Sequence, residues 1–294
     1  MFRTLTHLVR LFVTLIAIWS MLEKAAAADD KIPVAELPQH THIHGIAVDR
    51  NDPTRLFIAT HHGFFVATAD GMATRLSPVQ DFMGFTPDPG NSSVLYASGH
   101  PAAGGNLGFL ASSDGGATWT QLSPGLEGPV DFHQMDVSPV DPRIIYGAYG
   151  GIQVSRDGGH DWTMTGPAPE GLIALAASAT SAGRLYAATR FGLWTSDDDG
   201  KAWQEASFGL DIVSMVKTEP DGTIFAFVVG QGLLQGNEAD LATWTVLNNG
   251  FGDRALVHFA VDPSNPNRMY GVTQNSEVVT STDDGHSWQS FGVK

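Results

Sequence analysis

Cysteine is absent from the 294 residues, so the chain can hold no disulfide framework, no thiolate zinc or iron–sulfur site and no thiol nucleophile. Any metal would have to be bound by histidine, methionine or carboxylate. Basic residues are scarce as well: 16 Lys and Arg stand against 31 Asp and Glu, for a formal charge of −15. That balance argues against a nucleic-acid partner and an anionic membrane surface, both of which need clustered Lys and Arg. Charged residues make up only 16 % of the chain, against roughly 25 % in an average globular domain. Sustained helical periodicity is missing. What is abundant is glycine, at 33 residues, in a chain that is 43 % hydrophobic. Many tight turns around a sizeable core are expected.

Residues 1–28 read as a secretory signal peptide, with Arg3 and Arg10 near the start, an apolar run from Leu11 to Leu22, and Ala25 to Ala28 before Asp29. The run is shorter than the roughly 20 residues that span a bilayer. Cleavage there would leave 266 residues with 13 basic and 30 acidic side chains, a charge of −17. No later apolar stretch is long enough to cross a membrane, so the expected product is periplasmic or secreted.

The remainder repeats. Ser112-Ser113-Asp114-Gly115-Gly116-Ala117-Thr118-Trp119 recurs as Ser155 to Trp162, Ser196 to Trp203 and Ser281 to Trp288, with the shared pattern Ser-x-Asp-x-Gly-x-x-Trp. Two eroded copies fill the gaps, one from Thr68 to Arg75 and one ending at Trp244. The last positions of the six copies are spaced by 44, 43, 41, 41 and 44 residues. A second landmark precedes each copy: Leu56-Phe57, Leu95-Tyr96, Ile145-Tyr146, Leu185-Tyr186, Ile224-Phe225 and Met269-Tyr270. Each unit holds four short runs rich in Val, Ile, Phe and Tyr between Asp-Pro, Asn and Gly turns, which are strand signals. In the first unit these are Gly45 to Val48, Leu56 to Ala59, Phe64 to Ala67 and Thr74 to Pro78. Four strands per unit of about 40 residues is the period of a propeller blade. The expected fold is an all-β, six-bladed β-propeller over residues 38–294, preceded by a segment, 29–37, able to add a strand to the last blade.

The four intact boxes resemble the Asp-box, or BNR, repeat of sialidases, sortilin-type receptors, photosystem assembly factors and many exported bacterial propellers. The resemblance implies that each box is the turn between the third and fourth strands of its blade. Asp114, Asp157, Asp198 and Asp283 then read as scaffold residues, since one chemical site could not use a residue from each of four blades. Read as calcium ligands they fail, because the Thr195 to Gly200 stretch lacks the alternating acids and terminal Glu of an EF-hand.

Strand order also assigns the faces. Chain leading into each first strand shares one mouth with the loops joining second and third strands, whereas the boxes and Asp-Pro turns lie on the opposite face. Counting back from the landmarks places His44, Met83 and His133 at one level of the first three inner strands. His42, Asp81 and Asp131 stand two residues earlier, on the same side. His61, His62 and His100 join them from the second-to-third loops. The corresponding residues of the other half, Ile173, Ile212 and Val257, are apolar.

Crowded imidazoles repel once protonated, so a metal or carboxylate is expected to compensate them. The residues nominated for a metal are His44, Met83, His133, His42, His61 and His100, and copper suits imidazole with a thioether. Met135 is a weaker candidate that could belong to the core. A structural plug or proton-transfer chemistry are the competing accounts of the same cluster. The alternative function is a glycoside hydrolase-like or glycan-binding propeller, with Asp81 and Asp131 as an acid–base pair. A platform for a protein partner is the third. Sialidase activity is not expected, because an arginine triad would be needed at the mouth, while Arg55, Arg143, Arg184 and Arg268 fall toward the opposite face and only Arg190 and Arg254 lie near it.

Overall fold

The computed structural model describes residues 31–292. The expected leader lies outside the described residues, as do the last two positions. Six antiparallel sheets form six blades, five of four strands and the first of five. Their inner strands are Ile43–Val48, Met83–Pro87, Gln134–Val137, Leu172–Ala177, Val213–Thr218 and Leu256–Val261. Each packs beside the next and the sixth beside the first, closing a ring around a central channel of about 310 Å³. The chain is therefore a six-bladed β-propeller. Among the described residues the only α-helix is one turn, Leu37–His40, and none is long and apolar enough to cross a membrane.

A strand sheet buried on both faces needs a neighbour on each side, and the core is divided accordingly. Among the described residues, six apolar clusters fall one at each junction between blades. Phe57, Phe64, Phe82 and Leu95 join blades 1 and 2, and Phe109, Phe132, Ile145 and Trp162 join blades 2 and 3. The remaining junctions follow suit, and Ile46, Leu56, Tyr270 and Val278 close the ring between blades 1 and 6.

Each Ser-x-Asp-x-Gly-x-x-Trp segment forms the same turn between third and fourth strands. In the first of them Ser112 Oγ donates to Asp114 Oδ1 at 2.9 Å and accepts from Gly116 N. Asp114 in turn accepts from Thr118 N at 2.9 Å, and Trp119 Nε1 donates to Gly116 O at 3.0 Å. The Trp119 ring wedges against Phe64 of blade 1 and Phe82, with centroids 5.2 and 4.9 Å away. Gly116 is required twice over: its φ is +90°, and a Cβ would lie 2.2 Å from Phe64. In blade 5, where the box is eroded, a different acid occupies the turn. Glu238 is buried and accepts from Ser178 Oγ, Ala179 N and Tyr186 Oη of blade 4.

Two expectations are corrected. Lys31–Pro33 joins the first blade rather than the last, pairing with residues 72–74 on its outer edge. Val34 and Leu37, just beyond, fill the junction of blades 1 and 6, so the segment closes the ring with side chains instead of completing the sixth sheet. The second correction concerns register. Val48 pairs with Leu56 and Val261 with Met269, but Thr218 pairs with Ile224. The blade 5 turn is two residues shorter, which makes Ser214, not Ile212, the counterpart of His44. Ile212 is exposed at the mouth, while Ser214 Oγ donates to Leu256 O at 2.7 Å.

Hydrogen bonds from backbone and hydroxyl groups hold the turn carboxylates below their ordinary range, Asp283 at about 2 and Asp114, Asp157 and Asp198 in the same direction. A depressed carboxylate stabilises the fold above its ordinary value, 3.8, and that contribution is lost as pH falls toward 2. Asp157→Ala is expected to lower Tm by a few degrees at pH 7, with the deficit shrinking as the medium is acidified below 3.8, as followed by circular dichroism melts.

Candidate metal centre

The mouth of blades 1 to 3 is assembled from five segments, each set by the blade geometry. Thr41 and His42 lead into the first inner strand, which carries His44. His61 and His62 form the tight loop between Thr60 and Gly63, where Thr60 Oγ1 accepts from His62 N and donates to Gly63 O. Asp81 leads into blade 2, His100 follows its second strand, and Asp131 leads into blade 3 ahead of His133. Backbone bonds fasten these together: His61 N donates to His42 O at 3.1 Å and Asp81 N to His100 O at 2.9 Å. Gly99, at φ +134°, permits the second approach, since a Cβ there would lie 2.2 Å from Asp81 O.

The side chains resolve into two groups, each of two histidines and one aspartate whose ligand atoms lie within 4.8 Å of one another. In the first, His61 Nδ1 is 2.7 Å from Asp81 Oδ2, and the His44 ring stands edge-on to His61 with centroids 4.2 Å apart. His44 Nε2 and Asp81 Oδ1 face each other at 3.9 Å, too far for a hydrogen bond. Both atoms are buried and lack a hydrogen-bond partner, an arrangement that costs free energy unless something bridges them. Burial, reinforced by the neighbouring His61, His258, His133 and His42, pushes His44 down to about 3. Its ring is thus neutral at physiological pH, with a lone pair to give.

In the second group both imidazoles converge on one carboxylate oxygen. Asp131 Oδ2 lies 2.9 Å from His100 Nε2 and 2.5 Å from His133 Nε2, while the buried Oδ1 has no partner. His100 Nδ1 sits 2.8 Å from the Gly105 carbonyl, which can only accept, so Nδ1 carries a proton. A neutral His100 would then point a bare Nε2 lone pair at the carboxylate. Only a proton or another cation between them relieves that opposition. The hydrogen bond to Asp131 raises the pKa of His133.

His44 and His133, expected at one level, therefore fall into different groups. The two aspartates nominated as an alternative acid–base pair are partners of the histidines in both. Met83 is buried, 6 % exposed, in the second inner strand, and Met135 belongs to the cluster between blades 2 and 3. His42 is exposed, its ring 5.7 Å from that of His61, and His62 turns away to Thr41 Oγ1 at 3.1 Å. His258, not singled out in sequence, lines the channel, and burial lowers it to about 4. The arginines before the second strands pair locally with turn acids: Arg143 with Asp141, Arg184 with Asp197 and Arg268 with Asp262.

No protein-family model and no curated protein matches the chain. Solved structures do, at identities that carry the fold alone. The GH74 enzyme of Niastella koreensis superposes with a TM-score of 0.60 at 18 % identity, over 85 % of this chain and 45 % of that one. This chain thus spans less than half the length of that enzyme. YCF48 bound to D1 peptide gives 0.53 at 15 % identity, over 88 % and 84 % of the two chains. The extracellular domain of BT4673 from B. thetaiotaomicron gives 0.56 at 13 %, over 89 % and 34 %.

His44 and His258 bind protons less readily folded than unfolded, so they stabilise the fold fully above their ordinary value of 6.5 and lose that contribution as pH falls toward 4. His133, shifted upward, acts in the opposite sense and stabilises below 6.5. Glu219 is shifted upward by burial as well, but the two large downward shifts set the sign, and urea unfolding in chelator is expected to show stability falling between pH 7 and 4.5. A His44→Gln variant should show a flatter profile.

Proposed function

We propose that the chain is an exported metal-binding propeller of the Asp-box type, with two His-His-Asp sites at the mouth of blades 1 to 3. The observation that carries this reading is the buried, unpartnered pair His44 Nε2 and Asp81 Oδ1, aimed at each other across 3.9 Å. His44, His61 and Asp81 would hold one ion, and His100, His133 and Asp131 a second. The donors of the two groups are imidazole and carboxylate, a set suited to a divalent ion. Copper(II) should bind most tightly, by the general order of divalent affinities. The acidic surface would raise the local concentration of cations at the mouth.

Equilibrium dialysis of the chain lacking residues 1–28 is expected to retain about two equivalents of copper(II), with zinc held more weakly. Asp81→Asn and Asp131→Asn should each remove one equivalent, and binding should fall below about pH 6 as protons compete for imidazole. Substoichiometric metal in the wild type, or unchanged content in the double variant, would contradict the proposal.

A protein partner seated over the same mouth is the second reading, favoured by exposed Tyr149, Phe191, Leu210, Ile212 and Val229 on blades 3 to 5. Sialidase turnover is expected to be absent in a fluorogenic sialoside assay. Activity abolished by Arg190→Ala would overturn that expectation.

A further inference from the structure

One tryptophan departs from the turn that it belongs to. In three of the four intact turns the indole donates to the carbonyl of the turn's own glycine: Trp119 to Gly116, Trp162 to Gly159 and Trp288 to Gly285. Trp203 of blade 4 instead reaches Pro167 O, 3.2 Å away on the linker from blade 3. The aromatic clamp that holds the others is absent here. Phe64 and Phe82 grip Trp119, and Phe109 and Phe132 grip Trp162. The register puts Ile152 and Leu172 at the corresponding places in front of Trp203. Gly166 also crowds this turn, since a Cβ there would lie 2.7 Å from Gly200 O.

Trp203 therefore lines a cavity of about 270 Å³ with Trp194, Phe191, Pro169 and Glu170. Trp194 Nε1 is engaged too, donating to Phe191 O at 2.8 Å. Both indoles are held by their N–H groups, so what they offer a ligand is the π face. None of these three aromatic rings stacks on another among the described residues. Glu170 is exposed and has no ion-pair partner among them. Three aromatic rings, a prolyl ring and one free carboxylate, with no unengaged side-chain donor, suit a ligand that is cationic and gives no hydrogen bonds. A sugar would find a single side-chain acceptor, Glu170, and no free side-chain donor on such walls.

We propose that this cavity binds the quaternary ammonium group of a small solute of choline size, through cation–π contact with Trp194, Trp203 and Phe191 and attraction to Glu170. The site lies on blade 4, apart from the histidine groups, and its occupation is independent of metal.

The test is calorimetric titration of the intact protein, in chelator, with choline, tetramethylammonium and the neutral isostere 3,3-dimethylbutanol. Saturable binding of both cations below about 10 mM is expected, with the isostere at least about 10-fold weaker. Trp194→Ala and Trp203→Ala should each weaken choline about 10-fold or more, and the exposed change Glu170→Gln about 3-fold. Melting curves accompany each variant, and should Trp203→Ala fail to fold, Glu170→Gln and the isostere decide. Absence of saturation, equal binding of the isostere, or an unchanged Kd in Glu170→Gln and folded Trp194→Ala would overturn the proposal.

Discussion

Every blade of this propeller carries two apolar faces, and neither can be buried without a neighbour. The free energy of burying Phe64, Phe82 and Leu95, or Tyr146, Ile152 and Leu185, is available only where two blades meet. Stability therefore resides in six junctions and depends on the ring being closed. At the closure, Val34 and Leu37 from the segment before the first blade enter the junction of blades 1 and 6. Phe291 enters it from the chain's other end, and Gly71 meets Gly292 in near backbone contact. The recurring turns serve the same constraint. Their carboxylates satisfy turn amides, and their tryptophans are wedges driven toward the preceding blade.

Because the packed junctions fix the ends of the strands, the loops at the mouth are placed by geometry and their side chains are free to carry chemistry. Inner strands bring the first three blades together, and each blade step sets a loop histidine beside the aspartate of the following blade: His61 by Asp81, then His100 by Asp131. One more histidine completes each group, His44 within the first inner strand and His133 immediately before the third. Such a pairing leaves lone pairs and carboxylate oxygens in excess of protons, which distinguishes the mouth from the opposite rim. There, arginines and turn acids neutralise one another.

The repeat made the fold legible in the sequence, since six landmarks and four intact boxes fix blade number, strand order and faces. The gathering of histidines followed from those faces. What could not be read was the partition into two groups, because a shared level along neighbouring strands says nothing about which side chains lean together across a blade junction. The sequence did hold a signal: Asp81 and Asp131 occupy equivalent places one blade apart, as do His61 and His100. Ile212 was misplaced for a simpler reason, as counting back from Ile224 assumes a turn of constant length and blade 5 shortens it. The strand expected from the segment before the first blade does form, but on the first blade rather than the last, since three residues of edge pairing carry no pattern that selects a partner.

The proposed metal binding rests on the two His-His-Asp groups at the mouth. Anomalous diffraction at the copper edge, from crystals of the chain lacking residues 1–28 equilibrated with copper(II), tests this most directly. Two peaks are expected, one within about 2.2 Å of His44 Nε2 and an Asp81 oxygen and one at the same distances from His133 and Asp131. Peaks only at isolated surface histidines such as His160 or His286, or none at the mouth of blades 1 to 3, would contradict it.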